Sequence, residues 1–131
     1  MLSQTAEYAL RAMIQIAGQP ERYVSSSEIS QATKVPLDYL LKVLQSLGTA
    51  GMLERKRGLK GGFKLARPPE KISILEIVRI FDPIQRIQKC PLGLKEHASA
   101  LCPLHKKLDH IAGELECHLS SVSLSDLAET S

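Results

Sequence analysis

The start of the chain alternates apolar and polar positions with the period of an α-helix. Apolar residues recur at three- and four-residue intervals, with Ser3 placed to cap the helix and Gly18 to end it. A short second helix is predicted from Ser25, which has capping-box spacing to Glu28, as far as about Thr33. We therefore expect two helices joined by a polar link.

The third predicted helix begins near Pro36, which fits a first helical turn, and ends at Gly51, where a left-handed cap is expected. Its leucines recur at helical spacing and predict one buried stripe: Leu37, Leu40, Leu41, Leu44 and Leu47. The opposite side carries Asp38, Lys42 and Gln45. This helix is predicted to dock on its own domain through one face and to offer polar groups on the other.

Two short strands are predicted next, at Met52–Arg55 and Phe63–Leu65. The residues between them include three glycines and three cations, which is typical of a β-hairpin with a thin, basic tip. Two helices followed by such a hairpin have the order of a winged helix-turn-helix.

A fourth helix and a long last helix complete the predicted fold. Ser73 opens a second capping box, and the helix after it is apolar around most of its circumference. The last helix is predicted from about Pro103 to Ser121, followed by a tail after Ser125 that we expect to be loosely held. The predicted fold class is mainly α with a small β-hairpin, a winged helix-turn-helix plus a long C-terminal dimerisation helix.

The chain divides into a predicted winged DNA-binding domain at 1–82, a cysteine-containing sensor loop at 83–103, and a dimerisation helix and tail at 104–131. A helix of about 19 residues spans roughly 28 Å, longer than one small domain needs. Exposing its apolar stripe would cost about 25 cal/mol per Å², so pairing with a second copy is favoured over packing on its own domain. A two-fold dimer places two recognition helices about 34–36 Å apart and predicts a near-palindromic operator in double-stranded DNA.

Composition restricts the class of protein. The 131 residues are 44% hydrophobic and 24% charged, as in an ordinary globular domain, and a net charge of +3 suits a polyanionic partner. The first residues contain Glu7 and Arg11 and do not form a signal-peptide core, and no apolar run reaches the roughly 20 residues of a membrane span. Three cysteines, an odd number, argue against a disulfide framework. We expect a cytoplasmic protein with no membrane contact.

The polar face of the third helix and the basic hairpin predict a DNA-binding surface. Polar groups near a helix N-terminus can reach base edges in the major groove, and cations on a thin hairpin can reach phosphates or a narrow minor groove. Alone, a leucine-striped helix is more often plain core packing, and a basic turn is more often a solvated loop. Their combination in this order favours DNA. The predicted contact residues are Ser26, Ser27, Asp38, Tyr39, Lys42, Arg55, Lys56, Arg57 and Lys60.

Two cysteines flank an eleven-residue loop before the last helix. Cys102 is followed three residues later by His105, so both lie on one face at a helix N-terminus, where a thiolate is favoured. Cys90 begins the loop, and His97 lies between the cysteines. Two thiolates and two imidazoles can hold zinc or a 2Fe–2S cluster. Cys117 lies roughly 18 Å farther along the last helix, beyond the reach of the same metal within one chain.

The chain resembles the IscR/NsrR-type winged-helix regulators of iron–sulfur, nitric oxide and cysteine homeostasis over almost its whole length. The resemblance is carried by Leu2–Arg11, by the wing Arg57–Phe63, and by Cys90–Gly93 and Cys102–His105. It implies that the first turns of the third helix contact base edges or phosphates and that Arg57 enters the minor groove. It also implies an iron–sulfur cluster in the cysteine loop.

Cluster-binding members of that family carry three cysteines in this loop, and here His97 stands in place of the middle one. Cys90 and Cys102 therefore come first as predicted ligands, and His105 next. Glu7 stands where related sensors use a carboxylate donated across the dimer, so Glu7 and His97 compete for the remaining place. We predict a homodimeric regulator whose operator affinity is controlled by a cluster, with 2Fe–2S as the predicted type.

Two departures from the family pattern affect DNA recognition. Leu41 stands where cluster regulators carry a glutamate used in base selection, and Lys60 stands where the wing often has a further glycine. The operator sequence of relatives is therefore not transferred to this chain.

Three alternatives stay open at this point. The same regulator could use zinc, or a thiol switch between Cys90 and Cys102, with no cluster. An enzyme could use Cys102 as nucleophile and His105 as base, but the chain has no oxyanion-hole motif, phosphate loop or acid pair, so we predict no enzyme. A protein–protein adaptor could keep the winged domain without binding DNA.

Overall fold

The structure is a computed structural model that describes residues 2–87 and 102–130. The helices are α1 (Gln4–Ala17), α2 (Ser26–Thr33), α3 (Leu37–Thr49), α4 (Ile74–Phe81), α5 (Pro103–Ser120) and α6 (Leu124–Thr130), with a 3₁₀ turn at Pro69–Lys71. The strands β1 (Leu53–Lys56) and β2 (Gly62–Leu65) form one antiparallel pair. Within the described residues, no helix is long and apolar enough to cross a bilayer.

The three serines that the sequence predicted as helix caps each cap a helix. The hydroxyl oxygens of Ser3, Ser25 and Ser73 each accept a hydrogen bond from the backbone N–H three residues later. The Ser73 box is complete, because the Glu76 carboxylate accepts the backbone N–H of Ser73 at 2.8 Å. The predicted box at Ser25 is only half formed, since Glu28 forms an ion pair with Arg22 instead.

A tight turn joins α2 to α3 and sets the helix-turn-helix. Lys34 adopts a left-handed conformation at φ 64°, and its N–H bonds to the carbonyl of Ser30. The Ser30 hydroxyl also donates to the carbonyl of Val35 at 2.6 Å. The sequence predicted that Pro36 lies in the first turn of this helix. It lies just before that turn, at the N-cap of α3.

The core lies between α1, α3, α4 and the hairpin, with α1 at its centre. The buried residues of α3 are Leu40, Val43, Leu44 and Leu47. The prediction that Leu37 and Leu41 are buried is wrong, because they are 39% and 41% exposed. A helix turns by about 100° per residue, so Leu40 and Leu47 fall at the centre of the buried face while Leu37 and Leu41 fall on its flank.

The hairpin packs against the helices through its inner face. Leu53 pairs with Leu65, and both are buried with Phe63 on the inner face. Phe63 also forms an isolated antiparallel bridge with Val24, in the link between α1 and α2. Gly62 has φ 145°, and a Cβ at this position would lie 2.3 Å from the carbonyl oxygen of Val24. The close approach of these two backbones therefore requires glycine.

The end of the chain returns to the winged domain, so the prediction of a loosely held tail is wrong. Leu124 is fully buried in the core, and after Ser125 the side chains of Leu127 and Ala128 in α6 pack against the same core. The backbone N–H of Leu124 donates to Ile72, and the N–H of Ile74 donates to Val122. These contacts join residues that are about fifty positions apart, which a periodicity argument does not detect.

Candidate functional site

The centre of the outer face of α3 is polar and exposed. Asp38, Lys42 and Gln45 lie on it, opposite the buried leucines. Ser27, in the first turn of α2, is exposed as well, and Ser26 is half-buried. Because the buried face holds α3 on its own domain, these side chains are free to meet a groove of DNA.

Tyr39 lies on the α3 flank next to α1. Its hydroxyl shares a hydrogen bond with the hydroxyl of Thr5. Its ring contacts Tyr8 edge to face, with centroids 5.4 Å apart and an interplanar angle of 87°. A phenol can donate one hydrogen bond and accept others, so this contact leaves Tyr39 able to bind a phosphate as well.

The cations of the hairpin divide between its two faces. Arg55 lies over the ring of Phe63 on the inner face, 5.8 Å from the ring centroid. On the outer face, Lys56 and Lys64 each lie 5.7 Å from the ring centroid of Tyr23. Strand alternation explains the division, because neighbouring residues on a strand point to opposite sides. Cation–π contacts restrict these side chains without neutralising their charge.

The tip of the hairpin is exposed and contains Arg57, Leu59 and Lys60. Lys60 adopts φ 63°, in the left-handed region that favours glycine. The resemblance indicated that the wing often has a glycine at this position, and here a lysine adopts a backbone conformation that glycine adopts more readily.

A cleft of about 280 Å³ lies between the start of α2, the flank of α3 and the hairpin. Its lining includes Ser26, Leu41, Arg55, Lys56 and Arg57. The structure thus brings together four of the nine predicted DNA contacts. The other five lie on exposed surface outside this lining: Ser27, Asp38, Tyr39, Lys42 and Lys60.

Two of the predicted metal ligands meet at the start of α5. Cys102 is the N-cap residue, and its Sγ lies 3.3 Å from Nδ1 of His105. His105 is only 9% exposed, whereas Cys102 is half-buried. Cys90 and His97 lie outside the described residues. A sulfur and a ring nitrogen in contact are two donors of the kind that hold a four-coordinate metal ion.

Glu7 and Cys117 do not join this pair within one chain. Glu7 is exposed on the first turn of α1, and Cys117 is exposed in the last turn of α5. Among the residues that the structure describes, no three His, Cys, Asp or Glu side chains form a group able to hold a metal.

An ion-pair network holds the segment after α4 against α5. Arg86 binds Asp109 through Nε and Nη2, and Asp109 also accepts the backbone N–H of Ile87 at 2.7 Å. Glu116 adds contacts to Arg79 at 2.6 Å and to Arg86 at 3.5 Å. The Arg86 hydrogen bonds lower the pKa of the Asp109 carboxyl to about 2. Sequence reasoning missed this network, although Asp109 and Glu116 are two helical turns apart on one face.

Comparison with known proteins identifies the chain. Residues 2–130 match the Rrf2 family, which is described as "Iron-dependent Transcriptional regulator". The chain belongs to the Rrf2 family. It is also 30% identical over 130 residues to a protein of Aquifex aeolicus (strain VF5) that carries the name of an HTH-type transcriptional regulator. That match covers 97% of this chain and 90% of the other protein.

Solved structures agree with the family assignment. CymR, the global cysteine regulator of B. subtilis, superposes with a TM-score of 0.81 at 26% identity, covering 100% of this chain and 98% of CymR. T. potens IscR superposes with a TM-score of 0.82 at 23% identity, covering 99% and 87%, and shows likeness of fold. The predicted winged-helix fold, the family resemblance and the prediction of a transcription regulator that is no enzyme are therefore confirmed for this Rrf2 chain.

Proposed function

We propose that this Rrf2 regulator binds a near-palindromic operator as a homodimer and that a site at Cys102 and His105 controls its operator affinity. The observation that carries the proposal is the placement of Ser26, Arg55 and Arg57 in one cleft beside the exposed polar face of α3. Such a surface offers hydrogen-bonding groups for base edges and cations for the neighbouring phosphates.

The exposed apolar side of α5 supports the proposal that the chain pairs with a second copy. Leu104, Leu108 and Ile111 are 62%, 45% and 50% exposed, and their spacing places them on one helical face. Burying this stripe against the same stripe of a second copy removes apolar area from water and produces a two-fold dimer. Two α3 helices then face the same side of a duplex.

The controlling site uses the donor pair at the start of α5. An iron–sulfur cluster there would be held by Cys90, Cys102 and His105, with His97 or a Glu7 donated across the dimer as the fourth ligand. When bound, such a cluster supplies one-electron redox chemistry. Cys102 and His105 fit this role because a sulfur and a nitrogen donor are already in contact.

The residues next to this site connect it to the rest of the protein. Arg86 and Asp109 fix the chain just after α4 to α5, while Cys102 begins α5 itself. An effector changes operator affinity only if its own affinity differs between two arrangements of the dimer. We propose that the relative position of α4 and α5 differs between those arrangements.

The same site supports a second candidate, in which zinc or a thiol switch replaces the cluster. The contact that favours it is again the 3.3 Å approach of the Cys102 sulfur to the His105 ring, since thiol sulfur and imidazole nitrogen are the donors that zinc prefers.

Anaerobic purification with iron and sulfide reconstitution separates the two candidates. Cluster control requires visible sulfide-to-iron absorption that is lost in Cys102→Ala and kept in Cys117→Ala, which removes an exposed thiol of the same helix. Zinc in metal analysis without that absorption supports the zinc form. Operator affinity that is unaffected by metal, oxidant and Cys102→Ala contradicts any control through this site.

A further inference from the structure

One large apolar side chain stands out on the surface that we propose for DNA binding. Leu41 is 41% exposed, and Leu37, one turn earlier, is 39% exposed. A single exposed leucine is ordinary on a protein surface. Here, however, the two leucines form a strip along α3 between its polar centre and the hairpin.

Leu41 borders two clefts at this boundary. It lines the cleft of about 280 Å³ with Arg55 and Arg57, and a second cleft of about 530 Å³ with Gln45 and Phe63. Both clefts therefore combine an apolar wall with cationic or amide groups. The side chain has no donor or acceptor, so it can recognise only an apolar group of whatever occupies the clefts.

A DNA duplex presents one such group to a helix in its major groove, the 5-methyl of thymine. Cytosine carries only a hydrogen at the matching C5 position, so a leucine gains no methyl contact there. The arginines of the same clefts favour a polyanion over an apolar protein partner.

We infer that Leu41 is a specificity-determining residue that contacts the methyl group of one thymine in each operator half-site. The inference rests on the proposed binding mode and adds a base preference to it. The wing-tip residue Leu59, which is 98% exposed, provides a matched comparison because it is equally apolar and lies at the far end of the hairpin.

The operator is first found by selecting, from a random library, the duplexes that the protein binds. Each thymine of that operator is then replaced singly by deoxyuridine. This replacement removes the methyl group and leaves every hydrogen-bonding group in place. We expect one thymine per half-site whose replacement weakens binding about fourfold, the value of burying one methyl-sized group. Leu41→Ala should abolish that difference, whereas Leu41→Met and Leu59→Ala should keep it.

The outcomes separate this inference from the proposed binding mode. If a duplex is selected but no thymine methyl affects affinity, or if the effect persists in Leu41→Ala, the inference is wrong and DNA binding stands. If Leu59→Ala abolishes the effect while Leu41→Ala does not, the methyl contact belongs to the wing, and the inference is again wrong. If no duplex is selected, both fail.

Discussion

Arg86 places its Nε and Nη2 atoms 2.8 and 2.9 Å from the two carboxylate oxygens of Asp109. The guanidinium also lies across Gly113, where a Cβ would be 3.0 Å from its central carbon. A two-point ion pair over a glycine fixes both the distance and the angle of the segment that leaves α4. The chain after α4 is therefore fixed against α5 as far as Ile87.

The ion pair makes a prediction about acid stability. The folded-state pKa of Asp109 is about 2, below its ordinary value of 3.8, so its contribution to stability is present above about pH 4 and is lost as pH falls through about 2. In wild type, the free energy of unfolding should fall more steeply between those values than in Asp109→Asn. Urea unfolding at several pH values measures the difference. Equal slopes in the two proteins would show that the carboxyl is not ionised in a specific pair.

We expect that adding one methyl group at Gly62 strongly lowers the free energy of unfolding. Gly62→Ala would place Cβ against the carbonyl of Val24 at a φ of 145°, so we expect a loss of about 1–3 kcal/mol in the free energy of unfolding. Gly48 is the matched control, because it is helical and nothing lies within 4 Å of its Cβ position. Gly48→Ala should be neutral or stabilising by about 0.5–1 kcal/mol. Chemical denaturation of both variants measures the contrast, and similar stabilities would contradict the close approach of hairpin and link.

The proposed dimer predicts that a charge on the exposed stripe of α5 weakens self-association far more than a charge elsewhere on the same helix. Leu108→Glu should convert the dimer to monomer at micromolar concentration, since a buried unpaired carboxylate is costly. Lys106→Glu also introduces a carboxylate on an exposed position of α5, about half a turn away, and should leave the dimer intact. Sedimentation equilibrium distinguishes the two species. A wild-type monomer at every concentration would contradict the proposed pairing.

How much the sequence could predict depended on the distance over which each interaction acts. The helix caps at Ser3 and Ser73 and the left-handed Gly51 follow from a few neighbouring residues, and the structure contains all three. The exposure of Leu41 did not follow, because helical spacing places a leucine on a face but does not say where the buried face ends. The prediction of a loosely held tail failed for another reason. The strand-like contacts that dock Leu124 join distant parts of the chain.

The same difference between short-range and long-range interactions applies to the candidate site. Residue type and order predicted an exposed polar α3 face and a basic hairpin, which the structure places side by side. The contact of Cys102 with His105 follows from their i, i+3 spacing. The sequence did not predict the Arg86–Asp109 pair, because a loop arginine and a helix carboxylate have no fixed spacing.

A fluorescence titration of the protein with its selected duplex at several salt concentrations tests the central claim most directly. If α3 and the hairpin bind DNA, log affinity should fall linearly with log salt, and Arg57→Ala or Lys42→Ala should reduce the slope by about one for each phosphate contact removed. Lys71→Ala, which removes an exposed cation of the 3₁₀ turn, should leave the slope at the wild-type value. No affinity for any duplex at low salt, or equal slopes for all three variants, would contradict the proposed interface.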